Sequence, residues 1–367
     1  VIKRIILIAV NVLCLIGFFI CLGVSSSIRE PLYSQQAADA WRGQSGERFA
    51  QLSAFFPDDT SFDLESIRQL RGSIEQELIA ASLESSPDNR LYADAWSGTG
   101  TVSVISSRLQ NPVSVKAIAV GGDFFLFHPF RLVSGSYLSP EDVMRDRVVL
   151  DEELAWRLFG ATRVEGFEVV INSRPFLVAG VISRETDLAN SRAYTYGEGL
   201  FMSFEALMVL SEEAAVITSY EIVMPDPVTG FARGTLTDAI TESNILIIEN
   251  SNRFSLLNTF LNIRSFGERS MHTDSIALPY WENAARFVED WLALLLVLSL
   301  VLITFPIVCA VIYIVNLIRF GLRHGKNSLK NLIKARDDRL YKKYVEEHGD
   351  EVQIYSVDDI IREVKGE

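Results

Sequence analysis

Val148-Val-Leu-Asp-Glu-Glu-Leu-Ala-Trp-Arg-Leu-Phe-Gly160, followed by Gly166-Phe-Glu-Val-Val-Ile-Asn-Ser-Arg-Pro-Phe-Leu-Val-Ala-Gly-Val-Ile182, holds a strand, a capped helix and a hairpin within 35 residues. The apolar run 148–150 reads as a short strand. Asp151 then caps a helix over 152–159; Glu152 and Glu153 favour its positive end, and Gly160 supplies the left-handed residue that stops it. Beyond Gly166, the extended runs 167–171 and 174–182 are separated only by Asn172-Ser173, which predicts a hairpin, with Pro175 at an edge or a strand start. Strand, capped helix and hairpin in direct succession predict a mixed α+β domain.

The flanks extend the pattern. Upstream, Ser139-Pro-Glu-Asp142 reads as a short helical turn capped by serine. Residues 101–105 and 113–120 read as strands. In the second, Val113, Val115, Ala117 and Ala119 alternate with Ser114, Lys116, Ile118 and Val120, a pattern that begins half-buried and ends covered on both faces. Gly121-Gly122 ends it as a turn before Asp123-Phe-Phe-Leu-Phe127, without the spacing of a nucleotide fingerprint. Thr60-Ser-Phe-Asp63 and the apolar stripe Ile67, Leu70, Ile74, Leu78 and Ala81 predict a capped amphipathic helix, weakened at Gly72, with Pro87 past its end. Downstream, 204–210 and 231–242 read as helices, 219–224 and 245–248 as strands, and 225–230 as a turn. The alternation implies two lobes whose boundary the sequence does not mark.

Two apolar segments frame this domain. Residues 5–24 contain Asn11 as their only strongly polar member and span roughly 30 Å as a helix, the thickness of a hydrocarbon core. Residues 291–317 carry no charge and contain Pro306, a length that implies tilt or a kink. Lys3 and Arg4 precede the first segment; Arg319, Arg323, Lys326, Lys330 and Lys334 follow the second, so both termini read as cytoplasmic. Residues 26–290 then lie outside, with 21 Lys or Arg against 37 Asp or Glu. That acidic balance argues against nucleic acid as a partner. The first segment fits an uncleaved anchor, favoured by its full membrane length, or a removed signal peptide with a weak site near Val24-Ser-Ser.

Catalytic chemistry finds little support. Cys14, Cys21 and Cys309 all lie in apolar segments, so the external domain relies on its core and has no disulfide. His128 and His272 lack ligand spacing and read as surface or packing residues, which leaves no metal site. Asp58-Asp59, Glu152-Glu153 and Glu212-Glu213 sit where solvent or helix starts explain them. There is no phosphate-binding loop and no nucleophile elbow; neither an enzyme activity nor a cofactor is expected.

Gly135-Ser-Tyr-Leu138, together with the 148–160 and 166–182 stretches, resembles the periplasmic core domain of MacB-type permeases of the FtsX-like superfamily. The residues that carry the resemblance are Gly135, Leu150, Leu154, Ala155, Leu158, Phe159, Gly160, Gly166, Val169, Ile171, Phe176, Val178, Gly180 and Val181. The resemblance implies a membrane subunit of a bacterial ABC-type assembly in the inner membrane, served by a separate ATPase and other membrane subunits, as a homo- or hetero-oligomer. It also marks a departure: such permeases continue into a third and fourth membrane helix, whereas no apolar run follows Phe320 here. A half-permease that needs partners, an accessory protein that kept only the external domain, and a truncated gene product all fit.

The expected organisation is therefore a membrane helix over 1–25, a two-lobed extracytoplasmic α+β core domain over 26–278, a helical stalk over 279–290, a second membrane helix over 291–318 and a cytoplasmic tail over 319–367. Pro279 starts the stalk, Trp291 marks the membrane interface and Pro306 lies within the span, so these three are the candidate transmission residues. A stiff helix there fits mechanical coupling or a mere tether. In the tail, Lys326, Lys330 and Lys334 beside Leu322, Leu329, Leu332 and Ile333 fit an interfacial helix over 322–345 or the basic bias of topology alone, Glu346-Glu-His-Gly-Asp-Glu351 breaks the pattern, and 357–364 reads as a last short helix. Two functions follow: a permease-like subunit coupled to an ATPase, or an extracytoplasmic binding, sensor or scaffold module.

Overall fold

The computed structural model describes residues 2–83, 90–109, 111–194, 197–211, 215–268, 276–348 and 362. Pro87, Glu212, Glu213 and His272 lie outside the described residues, as does all of 357–364 except residue 362. In chain order the elements are α1 (Ile2–Ser27), α2 (Ala37–Arg42), β1 (Phe49–Phe55), α3 (Leu64–Ala80), β2 (Ala93–Ser106), β3 (Val113–Gly122), α4 (Phe124–Phe127), β4 (Arg131–Gly135), β5 (Arg147–Asp151), α5 (Glu152–Phe159), β6 (Glu168–Ile171), β7 (Arg174–Ser183), α6 (Leu188–Ala193), β8 (Gly199–Ser203), α7 (Phe204–Leu210), β9 (Ser219–Pro225), α8 (Phe231–Ala239), β10 (Leu246–Glu249), α9 (Leu256–Asn262) and α10 (Tyr280–His348). By contacts the chain forms one unit over Ile20–Leu298 and another from Val1–Phe19 with Ser299–Glu367.

Local chemistry explains the central elements of the first unit. Asp151 Oδ1 accepts from the Leu154 N–H at 2.7 Å, and Gly160 ends α5 at φ 70°. Asn172 and Ser173 both adopt positive φ, 45° and 69°, between paired Ile171 and Arg174, the two-residue turn that matches strand twist. α3 is capped by Asp63, which accepts from the Glu65 and Ser66 N–H groups. Ser139–Asp142 forms a single turn, with Ser139 Oγ accepting from the Glu141 N–H, and it does not lengthen into a helix.

All ten strands join one sheet, and part of it closes on itself. β2 pairs with β3, β3 with β8, β8 with β5, β5 with β7, β7 with β6, and β6 returns to the far end of β2. The result is a six-stranded ring, which leaves no free edge along that path. The Asn172 side chain helps to seal it by accepting from the Ser103 N–H at 2.8 Å. The first half of β2 carries instead an open wing, β9–β1–β10, covered by α3 and α8. β2 is therefore the strand the two lobes share.

Each face of the sheet has its own core. Val113, Val115, Ala117 and Ala119 of β3 point into the ring cluster, with Val104, Leu150, Ile171 and Val178, while the alternate Ile118 and Val120 join a second cluster on the other face. That second cluster holds Leu32, α2, Phe124, Phe127, Phe130, Ala189 and Ala193, and the first turns of α10.

In the other unit, α1 and α10 present apolar side chains outward, and both are long and apolar enough to cross a membrane. Gly17 lets α1 come close to Leu302, whose side chain lies 3.1 Å from where a Cβ would be. α10 continues through Pro306 and through 322–345 without a break in the helix, so the tail helix expected as a separate element is the end of α10.

Candidate functional site

The residues expected to form a stalk are built into the domain. The Pro279 carbonyl accepts from the Glu282 and Asn283 N–H groups at 3.1 Å and starts α10. Tyr280, Trp281, Ala284, Ala285, Val288 and Leu292 recur at helical spacing, and all are buried in the second core. Alanines at 284 and 285 permit close approach to the sheet, while Trp281 packs edge-on to Phe124 with centroids 5.8 Å apart.

The opposite side of the same turns carries charge, and it too is buried. Arg253, from the loop after β10, grips Glu282 with two parallel contacts: Nη1 to Oε2 at 2.6 Å and Nη2 to Oε1 at 2.7 Å. Its Nε lies 3.1 Å from Glu289 Oε1, one α10 repeat further on. Arg286 Nε donates to Glu282 Oε1 at 2.8 Å, and Arg253 Nη1 reaches Gln35 Oε1 at 3.2 Å. Burial opposes the charged form of Glu282, but Arg253 and Arg286 outweigh it and hold its pKa below the usual carboxylate value. Burial likewise opposes the Arg253 cation, and Glu282 and Glu289 outweigh that, so it is held charged.

A polar chain leads from this cluster across the sheet and back. Gln51 of β1 donates from Nε2 to the Ser34 carbonyl at 2.6 Å and accepts from the Ala37 N–H at 2.9 Å. Asn250 donates to Ser53 Oγ at 2.7 Å, and Ser53 donates to Glu221 Oε1 at 3.2 Å. Glu221 Oε2 lies 2.6 Å from His128 Nε2, and the His128 ring sits 4.4 Å from both Phe124 and Trp281. Of the two sequence readings of His128, packing is the one observed. Next to it, Tyr280 donates to Glu185 at 3.4 Å; burial pushes the Glu185 carboxyl above its usual value, with His128 and the Tyr280 hydroxyl partly offsetting it.

Such an arrangement ties the first three turns of α10 to separated parts of the chain. His128, at the end of α4, and Arg253, in the loop after β10, touch α10 directly, and Gln35 of a 3₁₀ turn joins through Arg253. Ion pairs this deeply buried are intolerant of losing one partner.

A family model, the MacB-like periplasmic core domain, matches residues 5–232 of the 367. The chain belongs to the MacB-like periplasmic core domain family. Among solved structures it is similar to the periplasmic region of MacB from Actinobacillus actinomycetemcomitans, at 17% identity over 60% of this chain and 94% of that one, with a TM-score of 0.39. It is also similar to the extracellular domain of the noncanonic ABC-type transporter YknZ from Gram-positive bacteria, at 13% identity over 55% of this chain and 100% of that one, with a TM-score of 0.37. With both TM-scores under 0.5, family membership rests on the sequence match. No curated protein sequence matches the chain.

The residues that suggested the MacB-like family do not gather at the root of α10. Leu150, Leu154, Ala155, Leu158, Val169, Ile171, Phe176, Val178 and Val181 are buried together in the ring cluster, and Phe159 packs on it and edge-on to Phe167. Gly135 and Gly180 are paired across β4 and β7; a Cβ on Gly135 would stand 2.1 Å from the Ala179 carbonyl oxygen, and one on Gly180 would stand 2.4 Å from that of Ser136. Gly160 and Gly166 serve positive φ. Pro279, Trp291 and Pro306 lie along α10 at its start, where its apolar run begins, and inside that run. Arg253, Glu282, Arg286, Glu289, Glu221, Gln35 and Gln51 were not singled out from sequence. Only the Glu282–Arg286–Glu289 spacing on one predicted helix offered a signal.

Proposed function

We propose that the chain is a permease-like membrane subunit of an ABC-type export or mechanotransmission assembly. A separate cytoplasmic ATPase and further membrane subunits complete the assembly, and α10 relays movement to the sheet domain. In this reading α1 and α10 cross the bacterial inner membrane, both termini face the cytosol and the sheet domain lies outside. The supporting observation is the root of α10. From Tyr280 to Phe305 the helix contains neither glycine nor proline, and its first turns are held in the domain core by apolar packing and by paired charges. A helix without a breaker does not hinge sharply. Tilt or rotation imposed on the apolar run is therefore passed to the sheet and is not absorbed in a linker.

Purification of the tagged full-length chain from native membranes, with mass spectrometry of the co-purifying proteins, tests the reading. Recovery of an ABC-type ATPase in stoichiometric amount is expected. An intact complex that holds a kinase or regulator and no ATPase would replace it with the sensor module.

A further inference from the structure

α9 is turned inside out. Its polar Thr259 is 7% exposed, and Asn258 is half-buried with its amide bonded to the Asn252 carbonyl at 2.7 Å. Its large apolar residues face outward: Leu256 is 79% exposed, Leu257 68%, Phe260 54% and Leu261 50%. A helix on a water-facing surface places these groups the other way round. Phe266, just beyond the 3₁₀ turn Ile263–Ser265 that follows α9, is exposed as well.

Its position says what covers it. Arg253, three residues before α9, touches Glu289, and Glu289 is two residues, about 3 Å of helix rise, before Trp291, where the apolar run of α10 begins. Near that level Trp291 and the exposed Leu188 of α6 line an apolar crevice of about 340 Å³ with Val24, Ile28, Phe287 and Leu295. Charge is compatible with that height. Between Glu249 and Glu268 the chain has no acid, and of its two arginines Arg253 is buried against Glu282 and Glu289 while Arg264 is exposed. Arg264 is exposed beside the apolar patch, where a lipid phosphate would accept from it.

We propose that α9 and the 3₁₀ turn after it lie in the outer headgroup region of the bilayer, with Leu256, Leu257, Phe260 and Leu261 immersed and Arg264 at the phosphates. The sheet domain thereby rests on the membrane at a second point, beside α10. This rests on the reading of α10 as a membrane span, and the test separates the two.

The full chain, with Cys14, Cys21 and Cys309 changed to Ser, is placed in nanodiscs of phosphatidylcholine and phosphatidylglycerol and spin-labelled singly at Leu257→Cys, Phe260→Cys, Val301→Cys or Asp238→Cys. Oxygen reports lipid and a water-soluble nickel chelate reports solvent. Labels at 257 and 260 are expected to collide severalfold more with oxygen than the label at Asp238, and less with the chelate, at a depth shallower than Val301. Chelate access at 257 and 260 equal to that at Asp238, with Val301 still in lipid, overturns the interfacial helix and leaves the span intact. Chelate access at Val301 overturns the span and the proposal with it. Exclusion of both reagents from 257 and 260 shows that protein covers α9, and a disulfide between chains at 260 would identify that protein as a second copy.

Discussion

The closed ring and the root of α10 are both buried, yet they are held by different physics. In the ring, Leu150, Leu154, Val169, Ile171 and Val178 belong to one apolar cluster, so the energy is spread over many weak contacts and a lost methyl is partly absorbed by its surroundings. At the root, Arg253, Glu282 and Glu289 are buried charges with specified partners, and loss of one partner leaves a buried charge that packing cannot compensate. The ring is thus suited to preserving a shape, and the root to fixing one helix at one depth and one rotation.

Removing one charge is the most severe way to test that contrast. Arg253→Met keeps the apolar stem but takes the guanidinium away from two buried carboxylates, leaving Glu282 with Arg286, and the expected loss is about 3 kcal/mol of stability. Denaturant unfolding of the full chain in detergent reads it. Adding Glu282→Gln should restore part of the loss, because one of the two carboxylates that lost the guanidinium is then neutral. A double variant no more stable than Arg253→Met would mean that the guanidinium acts by packing alone.

Leu154→Ala asks the same question of the ring. The side chain is fully buried, so lost transfer energy and a residual cavity should together cost about 3 kcal/mol in the same unfolding experiment. The contrast predicts no rescue by any single neighbouring substitution. Gly135→Ala should follow at about 2 kcal/mol or more, since the residue sits at φ 71° and the new methyl meets the Ala179 carbonyl. A stability loss well below 1 kcal/mol would show that β4 can move away from β7.

The same contrast explains what was legible in the sequence. α5, the β6–β7 hairpin and the alternation of β3 are local patterns: a cap, a two-residue turn, a period of two. Each is set by neighbours within a few positions, and each lies where the sequence places it. Ring closure is not local, because it depends on β6 meeting β2 some 60 residues away, and nothing in Val104 or Ile171 names the other. The root is harder still. Arg253 and Glu282 stand 29 residues apart, Arg253 and Gln35 218, and on a chain with 81 charged residues no single pairing is marked in advance. α9 is not marked in the sequence either, since the helical rule places apolar residues inward and Leu256 and Phe260 face out.

The finest test of the root is its response to pH, and the two carboxylates beside its first turn should respond in opposite senses. Glu282 has its pKa lowered on folding, so its contribution to stability is complete above the ordinary glutamate range and is lost as the pH falls through the folded value. Glu185 has its pKa raised, so its contribution is complete below that range and is lost as the pH rises through the folded value. Glu282→Gln should therefore destabilise the chain at neutral pH, and its deficit should shrink on acidification. Glu185→Gln should stabilise at neutral pH by a smaller margin that disappears in acid. Thermal unfolding of both variants and the parent from about pH 4 to about pH 8 separates the slopes. Since Tyr280 touches Glu185 and Arg253 holds Glu282, opposite slopes would mean that acid weakens the clamp on α10 while relieving the strain of a second buried charge that the first turn of the helix touches. Parallel slopes would mean that Glu185 stays solvated in the folded chain, so that of the two carboxylates Glu282 alone ties its ionisation to the seating of the helix.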